Sequence, residues 1–302
     1  MGLVLKLILP GLFRYLKTQR STPPMAYARQ GDPNNMEFFE HLEQLRWHLV
    51  RALVSIVVVG ILLFLAKDFV FNTVILGPST KKFETYQWLC RLSEALKLGD
   101  ALCIKDVGFT ITNIRMAGQF TQHIYVSFLG GFIVSFPYVF YQGWSFIKPG
   151  LSYYEKRYAR GIVFFSSLLF VLGVLFGYYL LSPMSIRFLG TYTVSESVSN
   201  SITLESYIST LSSVVLASAI VFELPMIVYF LSRAGIIYPA TMRYYRRHAV
   251  IVVLILSALL TPPDLTSQVL LAFPFLGLYE LSIKICKWVT RKHETLPEDL
   301  PQ

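Results

Sequence analysis

Acidic and amide side chains crowd the entrance of an apolar segment near the start of the chain. The stretch EHLEQLRWHLVR (residues 40–51) carries Glu40, Glu43 and Gln44 directly before the apolar run ALVSIVVVGILLFLA. Carboxylate and amide oxygens accept hydrogen bonds, and a guanidinium group is a strong donor to a carboxylate. Arg46 follows Glu43 at helical spacing, so local pairing is the simpler alternative. The stretch therefore predicts either solvated charges at the head of a membrane helix or a site for a cationic ligand.

Two further carboxylates stand in unusual surroundings. Glu155 ends an aromatic stretch and begins a basic one in FPYVFYQGWSFIKPGLSYYEKRYAR (136–160), a predicted loop whose aromatic residues suit a membrane interface. It would pair with a neighbouring cation of the loop or with a cation of a binding partner. Glu223 lies inside the apolar run VVLASAIVFELPMIVYFL. At this depth a carboxylate should face the protein interior or a water-filled cavity, either in a functional role or as a hydrogen-bonded tie between helices.

The composition places the chain among membrane proteins. It is 54% hydrophobic and only 15% charged, whereas soluble proteins carry about 25% charged residues. Six apolar segments predict an all-α polytopic membrane protein with spans at about 47–66, 120–142, 161–181, 207–231, 249–260 and 267–283. The first four reach the roughly 20 residues that a bilayer requires. The last two are short, and the prolines of TPPD between them predict an antiparallel hairpin.

The ends of the chain and its longest loop are predicted to differ from the membrane region. Residues 1–36 read as an extension and linker, residues 37–290 as the six-helix domain and residues 291–302 as a tail. The extension suits a short interfacial helix, and a later start at one of the following methionines is the alternative. In the segment 67–118, TKKFETYQWLCRLSEALKLGD has helical periodicity and DALCIKDVGFTITNI is predicted to be extended.

The distribution of the basic residues predicts the orientation of the chain in the membrane. Nineteen of the 27 lysines and arginines fall before the first apolar run, in the loops 143–160 and 233–248, and near the C-terminus. Short loops of this kind stay on the cytoplasmic side, so both termini are predicted to be cytoplasmic. Segment 67–118 then lies on the oxidising side, where Cys90 and Cys103 allow a disulfide. Two free thiols that merely pack are the preferred interpretation.

Several functional classes are not supported by the sequence. It contains no HExxH, GxxxxGK or GxGxxG motif, so it predicts no metal, nucleotide or other cofactor and no enzyme. The net charge of +9 follows from membrane topology rather than from nucleic-acid binding. A proton-coupled small-solute transporter with Glu223 as its relay is the main alternative, although no internal repeat is visible. A membrane-embedded hydrolase would need a catalytic spacing that the five histidines do not show.

Four motifs together resemble the TatC family, the receptor subunit of the twin-arginine protein translocase. They are HLEQLR, FPYVFYQGWSFIKPGLSYYEKR, FELP and LLTPPDLTSQVLLAFPFLGLYE, and they occur in the family's order from about residue 37 to 290. The resemblance implies a glove-shaped six-helix bundle in the bacterial cytoplasmic (inner) membrane that binds twin-arginine signal peptides and exports folded proteins. It also implies a need for the proton motive force, self-association, and TatA- and TatB-like single-span partners.

The resemblance also assigns residues. Together with the charged residues of the lead-in, it gives the candidates for signal-peptide binding, which are Glu40, Glu43, Gln44, Arg46, Phe146, Pro149 and Glu155. Those for intramembrane polar contacts and partner docking are Pro78, Glu223, Asp264 and Gln268.

The chain departs from the family's pattern at one of these positions. The family's lead-in glutamate falls at Gln44, which accepts a hydrogen bond but supplies no charge. Glu40 is turned only about 40° from Gln44 on an ideal helix and Glu43 about 100°. Glu40 is therefore the better substitute for the missing charge, unless Glu155 alone supplies it.

Overall fold

The computed structural model describes residues 33–80, 83–95, 109–147, 159–193, 195, 200–260 and 265–294. Its α-helices are Pro33–Leu65 (α1), Glu84–Ala95 (α2), Gly118–Ile147 (α3), Ala159–Phe176 (α4), Ser182–Thr191 (α5), Leu204–Phe222 (α6), Leu224–Arg233 (α7), Pro239–Tyr244 (α8), Arg246–Leu260 (α9) and Leu265–Glu294 (α10). π-Helical turns cover Phe69–Ile75 and Gly177–Leu181, and a 3₁₀ turn covers Gly77–Ser79. Two short strands are Thr110–Thr112 (β1) and Ser201–Thr203 (β2).

Four stretches of the described chain are long and apolar enough to cross a bilayer. They are Glu43–Leu65, Gly118–Phe146, Gly161–Thr191 and Leu204–Arg233, and they correspond to the first four predicted spans. The helix of the second span, α3, continues to Ile147, so the prediction of a loop is wrong for residues 136–147, which are helical. Aromatic packing holds this last part helical: Phe136 stacks on Phe170 of α4 with ring centroids 3.5 Å apart.

The last two helices form the predicted hairpin pair. α9 has 15 residues, whereas α10 has 30 and is longer than its apolar part. The helix continues because the residues that follow include lysine and arginine, which are good helix formers. The two helices share an apolar cluster that includes Val253 and Phe275, and Arg246 Nε lies 2.8 Å from Glu280 Oε1. The TPPD turn at 261–264 lies outside the described residues.

The fourth span is broken at its carboxylate. α6 ends at Phe222 and α7 begins at Leu224, with Pro225 in its first turn. Proline has no backbone N–H, so the regular hydrogen-bond ladder cannot continue through it. The Glu223 N–H instead bonds to the carbonyl of Ile220 at 3.1 Å. Glu223 therefore lies at a helix junction inside the apolar segment.

Small residues allow the third and fourth spans to pack closely. A Cβ on Gly173 would lie 2.7 Å from Cα of Ala219, and one on Gly177 would lie 2.9 Å from Cα of Val215. The Ser218 hydroxyl donates to the Gly173 carbonyl at 2.9 Å. Glycines four residues apart and a serine that bonds across the interface are typical of close helix pairs in membranes.

The described parts of segment 67–118 form a small folded layer with the start of the fourth span. β1 pairs in parallel with β2, with Ile111 opposite Ile202, and each strand leads toward the start of a long helix. Arg115 Nη1 lies 3.0 Å from Glu205 Oε2 beside this sheet. Both the helical prediction, at α2, and the extended prediction, at β1, are confirmed for the described residues.

Candidate functional site

The lead-in residues lie on α1. This helix begins at Pro33, so Glu40 is helical, and the side chains of Glu43, Gln44 and Arg46 are exposed. Residues up to Leu45 form one unit of the chain and Arg46–Gln302 form another. Because the side chains of Glu43, Gln44 and Arg46 are exposed, they can meet a ligand from solvent.

The loop residues are described only in part. Phe146 lies in the last turn of α3 and is half-buried, while Pro149 and Glu155 lie outside the described residues. The end of α3 is well anchored, because Trp144 packs in a cluster with Ile162 of α4 and Met226 of α7. The described end of α3 is therefore firmly held against α4 and α7.

A contact that the sequence did not predict joins α1 to α3 near this end. His48 Nδ1 lies 2.6 Å from Gln142 Oε1, and Gln142 is only 5% exposed. The amide oxygen can only accept, so Nδ1 of His48 carries the proton in this bond. His48 lies one helical turn after Gln44, and this bond orients the first membrane turn of α1. The only sequence signal for this contact was that His48 and Gln142 are polar residues at the ends of two apolar segments.

Glu223 has one satisfied and one unsatisfied oxygen. Its Oε2 accepts a hydrogen bond from Ser166 Oγ of α4 at 2.8 Å. Its Oε1 is buried and has no hydrogen-bond partner among the described residues. A buried carboxylate oxygen without a partner is unfavourable, because its loss of hydration is not compensated. Glu223 is thus tied to α4 through one oxygen, while its other oxygen has no hydrogen-bond partner among the described residues.

Pro78 lies in the layer formed by segment 67–118 and is fully buried. Its carbonyl accepts a hydrogen bond from the Tyr86 hydroxyl at 2.7 Å. Tyr178 and Tyr207 donate to the carbonyls of Val74 and Ile75, each at 2.7 Å. Burial raises the pKa of Tyr86 to about 12, against the opposing effect of Arg187, so its hydroxyl stays protonated and donates at neutral pH. Pro78 is therefore held in place as part of a rigid scaffold.

The hairpin residues are also described only in part. Gln268 Nε2 donates to the Leu254 carbonyl at 3.1 Å and thereby joins α10 to α9. Asp264 lies outside the described residues. Within the described ranges, no group of His, Cys, Asp and Glu could hold a metal ion.

Cys90 takes part in a disulfide bond, so the preferred interpretation of two free thiols is wrong for this residue. Cys286 is free and buried, and Cys103 lies outside the described residues. We predict that Cys103 is the partner. Peptide mapping of the unreduced protein should find a Cys90–Cys103 peptide that disappears in Cys103→Ser. Cys286→Ser is the matched control and should leave the linked peptide unchanged, and finding Cys103 alkylated without prior reduction would contradict the prediction.

The chain is similar to known proteins over most of its length. Residues 40–274 match the family model described as Sec-independent protein translocase protein (TatC). A Sec-independent protein translocase protein TatC of Blattabacterium is 36% identical over 264 residues, which cover 87% of this chain and 99% of that protein. The one from Campylobacter jejuni is 32% identical, over 84% of this chain and 94% of that protein. A crystal structure of a twin-arginine translocase receptor, TatC, superposes with a TM-score of 0.61 at 28% identity, over 81% of this chain and 98% of that chain.

Proposed function

This chain belongs to the TatC family of Sec-independent protein translocase proteins, and we propose that it is the subunit that binds twin-arginine signal peptides. It is a component of the Tat translocase, a membrane protein with several apolar helices, and a transport subunit rather than an enzyme. Because the chain belongs to this family, the two alternative functions, a small-solute transporter and a membrane-embedded hydrolase, are set aside. The similarity to a solved receptor over 81% of the chain carries the proposal.

We propose that the protein lies in the bacterial cytoplasmic membrane with both termini in the cytoplasm. The blocks of lysine and arginine in the short loops and at the ends support this orientation. Exposed Glu43 and Gln44 on α1, and Glu155 in the basic stretch 143–160 of the sequence, would then face the precursor on the cytoplasmic side. Their acceptor oxygens suit the guanidinium groups of an arginine pair.

Site-specific photocrosslinking tests the proposal. The crosslinker replaces Leu45, which is exposed beside Gln44, and in a control variant replaces Leu53, which is exposed on the apolar part of α1. A signal peptide with its arginine pair should react at position 45, and the same peptide with two lysines should react far less. The control position should not distinguish the two peptides. Equal reaction of both peptides at position 45 would argue against recognition of arginine by the lead-in.

Gln44→Glu is expected to strengthen signal-peptide binding. A charge-assisted hydrogen bond is roughly twice as strong as a neutral one, so a gain of about 1 kcal/mol corresponds to about fivefold in affinity. Titration of a labelled peptide measures the change. Gln87→Glu is the matched control, since it adds the same charge on α2. Weaker binding by Gln44→Glu would mean that Gln44 has another role.

Glu223, with its unsatisfied oxygen, is proposed to dock a TatA- or TatB-like single-span partner. Glu223→Ala should lower co-purification of such a partner by about tenfold, because a hydrogen bond to a charged group contributes about 1.5–3 kcal/mol. Signal-peptide binding should remain. Ser166→Ala is the control, since it removes the internal hydrogen bond and keeps the carboxylate. Unchanged co-purification of the partner with Glu223→Ala would contradict this role.

A further inference from the structure

A cavity of about 530 Å³ lies near the ends of the first two spans, on the side of the 67–118 segment. Its walls come from the chain after α1, from β1, from the first turns of α3 and from the start of α6. The candidate residues for signal-peptide binding and for partner docking do not line it. The first span ends at Leu65 and the second begins at Gly118, so the cavity lies at the depth of the lipid headgroups.

The polar part of the cavity presents both signs of charge. Lys67 and Asp68 are adjacent and exposed, and both line the cavity. Neighbouring residues on a helix do not face each other, so each can bind a different part of one ligand. Asn72 and Gln119 add amide groups that can donate and accept. This arrangement suits a small zwitterion with an anionic and a cationic group a few bonds apart.

The remaining walls are apolar and continue onto the outer surface of the spans. Phe71, Ile111 and Phe120 line the cavity. Phe120 is 62% exposed, and Ile124, one turn further along α3, is 49% exposed. Residues four apart lie on the same helix face, so an apolar path leads from the cavity toward the hydrocarbon region. A ligand that fits both parts has a polar end and an acyl end.

Contacts of His123 hold one wall of the cavity together. His123 Nε2 lies 3.1 Å from the Phe64 carbonyl, within hydrogen-bond distance. The imidazole ring stacks on Phe64 with centroids 3.9 Å apart and meets Phe71 edge-on at 5.5 Å. β1, which also lines the cavity, is held by its pairing with β2. A preformed cavity of this size needs little ordering when a ligand binds.

From these observations we propose that the cavity binds one amine-bearing zwitterionic phospholipid. The Lys67 ammonium group contacts the lipid phosphate, and the Asp68 carboxylate contacts the lipid ammonium group. The acyl chains leave the cavity along Phe120 and Ile124. The lipid then fills the space between the ends of the first two spans and the layer formed by segment 67–118.

Native mass spectrometry of the full chain tests the site. Delipidated protein in detergent is mixed with phosphatidylethanolamine, phosphatidylcholine and phosphatidylglycerol of identical acyl chains. The wild-type protein should retain one phosphatidylethanolamine in preference to the others. Asp68→Asn should lower the preference over phosphatidylcholine by about tenfold, because it removes a charge-assisted bond to the primary ammonium group. Lys67→Gln should lower retention of all three lipids, because they share the phosphate.

Controls separate this site from general charge effects and from a free anion site. Glu84→Gln and Arg243→Gln remove exposed charges away from the cavity and should change nothing. Asn72→Phe fills the cavity and should abolish retention of all three lipids. A wild-type protein without lipid preference, or Asp68→Asn with unchanged preference, would overturn the proposal. Complete displacement of the lipid by inorganic phosphate would overturn it as well, in favour of a free anion site.

Discussion

Glu155→Ala is expected to abolish export of twin-arginine substrates while the protein remains inserted in the membrane. In this chain the lead-in position that carries the family's glutamate is Gln44, so we expect Glu155 to supply a larger share of the negative charge that meets the arginine pair. A hydrogen bond to a charged group contributes about 1.5–3 kcal/mol, which corresponds to about 10- to 150-fold in signal-peptide affinity. Export of a folded reporter with a twin-arginine signal measures the effect.

Two variants separate charge from side-chain size in this experiment. Glu155→Gln keeps the shape and an acceptor oxygen, so it should retain a fraction of the binding that Glu155→Ala loses. Glu84→Gln, which neutralises an exposed carboxylate on α2, should export at the wild-type level. Insertion is followed by the amount of protein in the membrane fraction. Normal export by Glu155→Ala would remove Glu155 from the proposed recognition site.

Gly173→Ala is expected to destabilise the protein, although alanine is normally the better helix residue. The added methyl carbon would lie 2.7 Å from Cα of Ala219 and 2.8 Å from Cβ of Phe222. Because the first of these atoms is backbone of the neighbouring helix, the third and fourth spans must move apart. Overpacking of this kind costs about 1–3 kcal/mol. The separation would also stretch the Ser218–Gly173 hydrogen bond, which is 2.9 Å long. The melting temperature in detergent measures the loss.

Gly161→Ala is the matched control on the same helix. A Cβ at Gly161 would meet nothing within 4 Å, so only the gain in helix propensity remains, about 0.5–1 kcal/mol. This variant should be as stable as the wild-type protein or more so. A larger side chain in Gly173→Leu should lower the amount of folded protein further. Equal melting temperatures for Gly173→Ala and Gly161→Ala would contradict the close-packing argument.

The sequence predicted the number and order of the apolar segments better than the ends of the helices. α3 extends to Ile147 and α10 to Glu294, well beyond the apolar residues that mark the spans. The hydrophobicity of a segment indicates only which residues lie in the hydrocarbon region. A helix can continue beyond that region where its side chains pack against other helices or are solvated. Trp144, packed against two other helices, provides such partners at the end of α3. The same helix therefore carries Phe146, which the sequence placed in a loop.

The close helix pair had a sequence signal that the prediction did not use. Gly173 and Gly177 stand four residues apart within an apolar segment, a spacing typical of tight helix packing. The spacing alone does not identify the partner helix. Only the structure shows that Ala219 and Ser218 of the fourth span occupy the space that the glycines leave.

What the sequence determined by itself is the membrane class, the order of the spans and the family. Each apolar segment must satisfy its own backbone in hydrocarbon, so this information is local to the segment. The tertiary structure alone decided which polar groups meet. Ser166 and Glu223 are 57 residues apart, and His48 and Gln142 are 94 apart. Such pairs depend on how the helices pack, which periodicity along one segment does not encode, and the cavity beside Lys67 and Asp68 forms for the same reason.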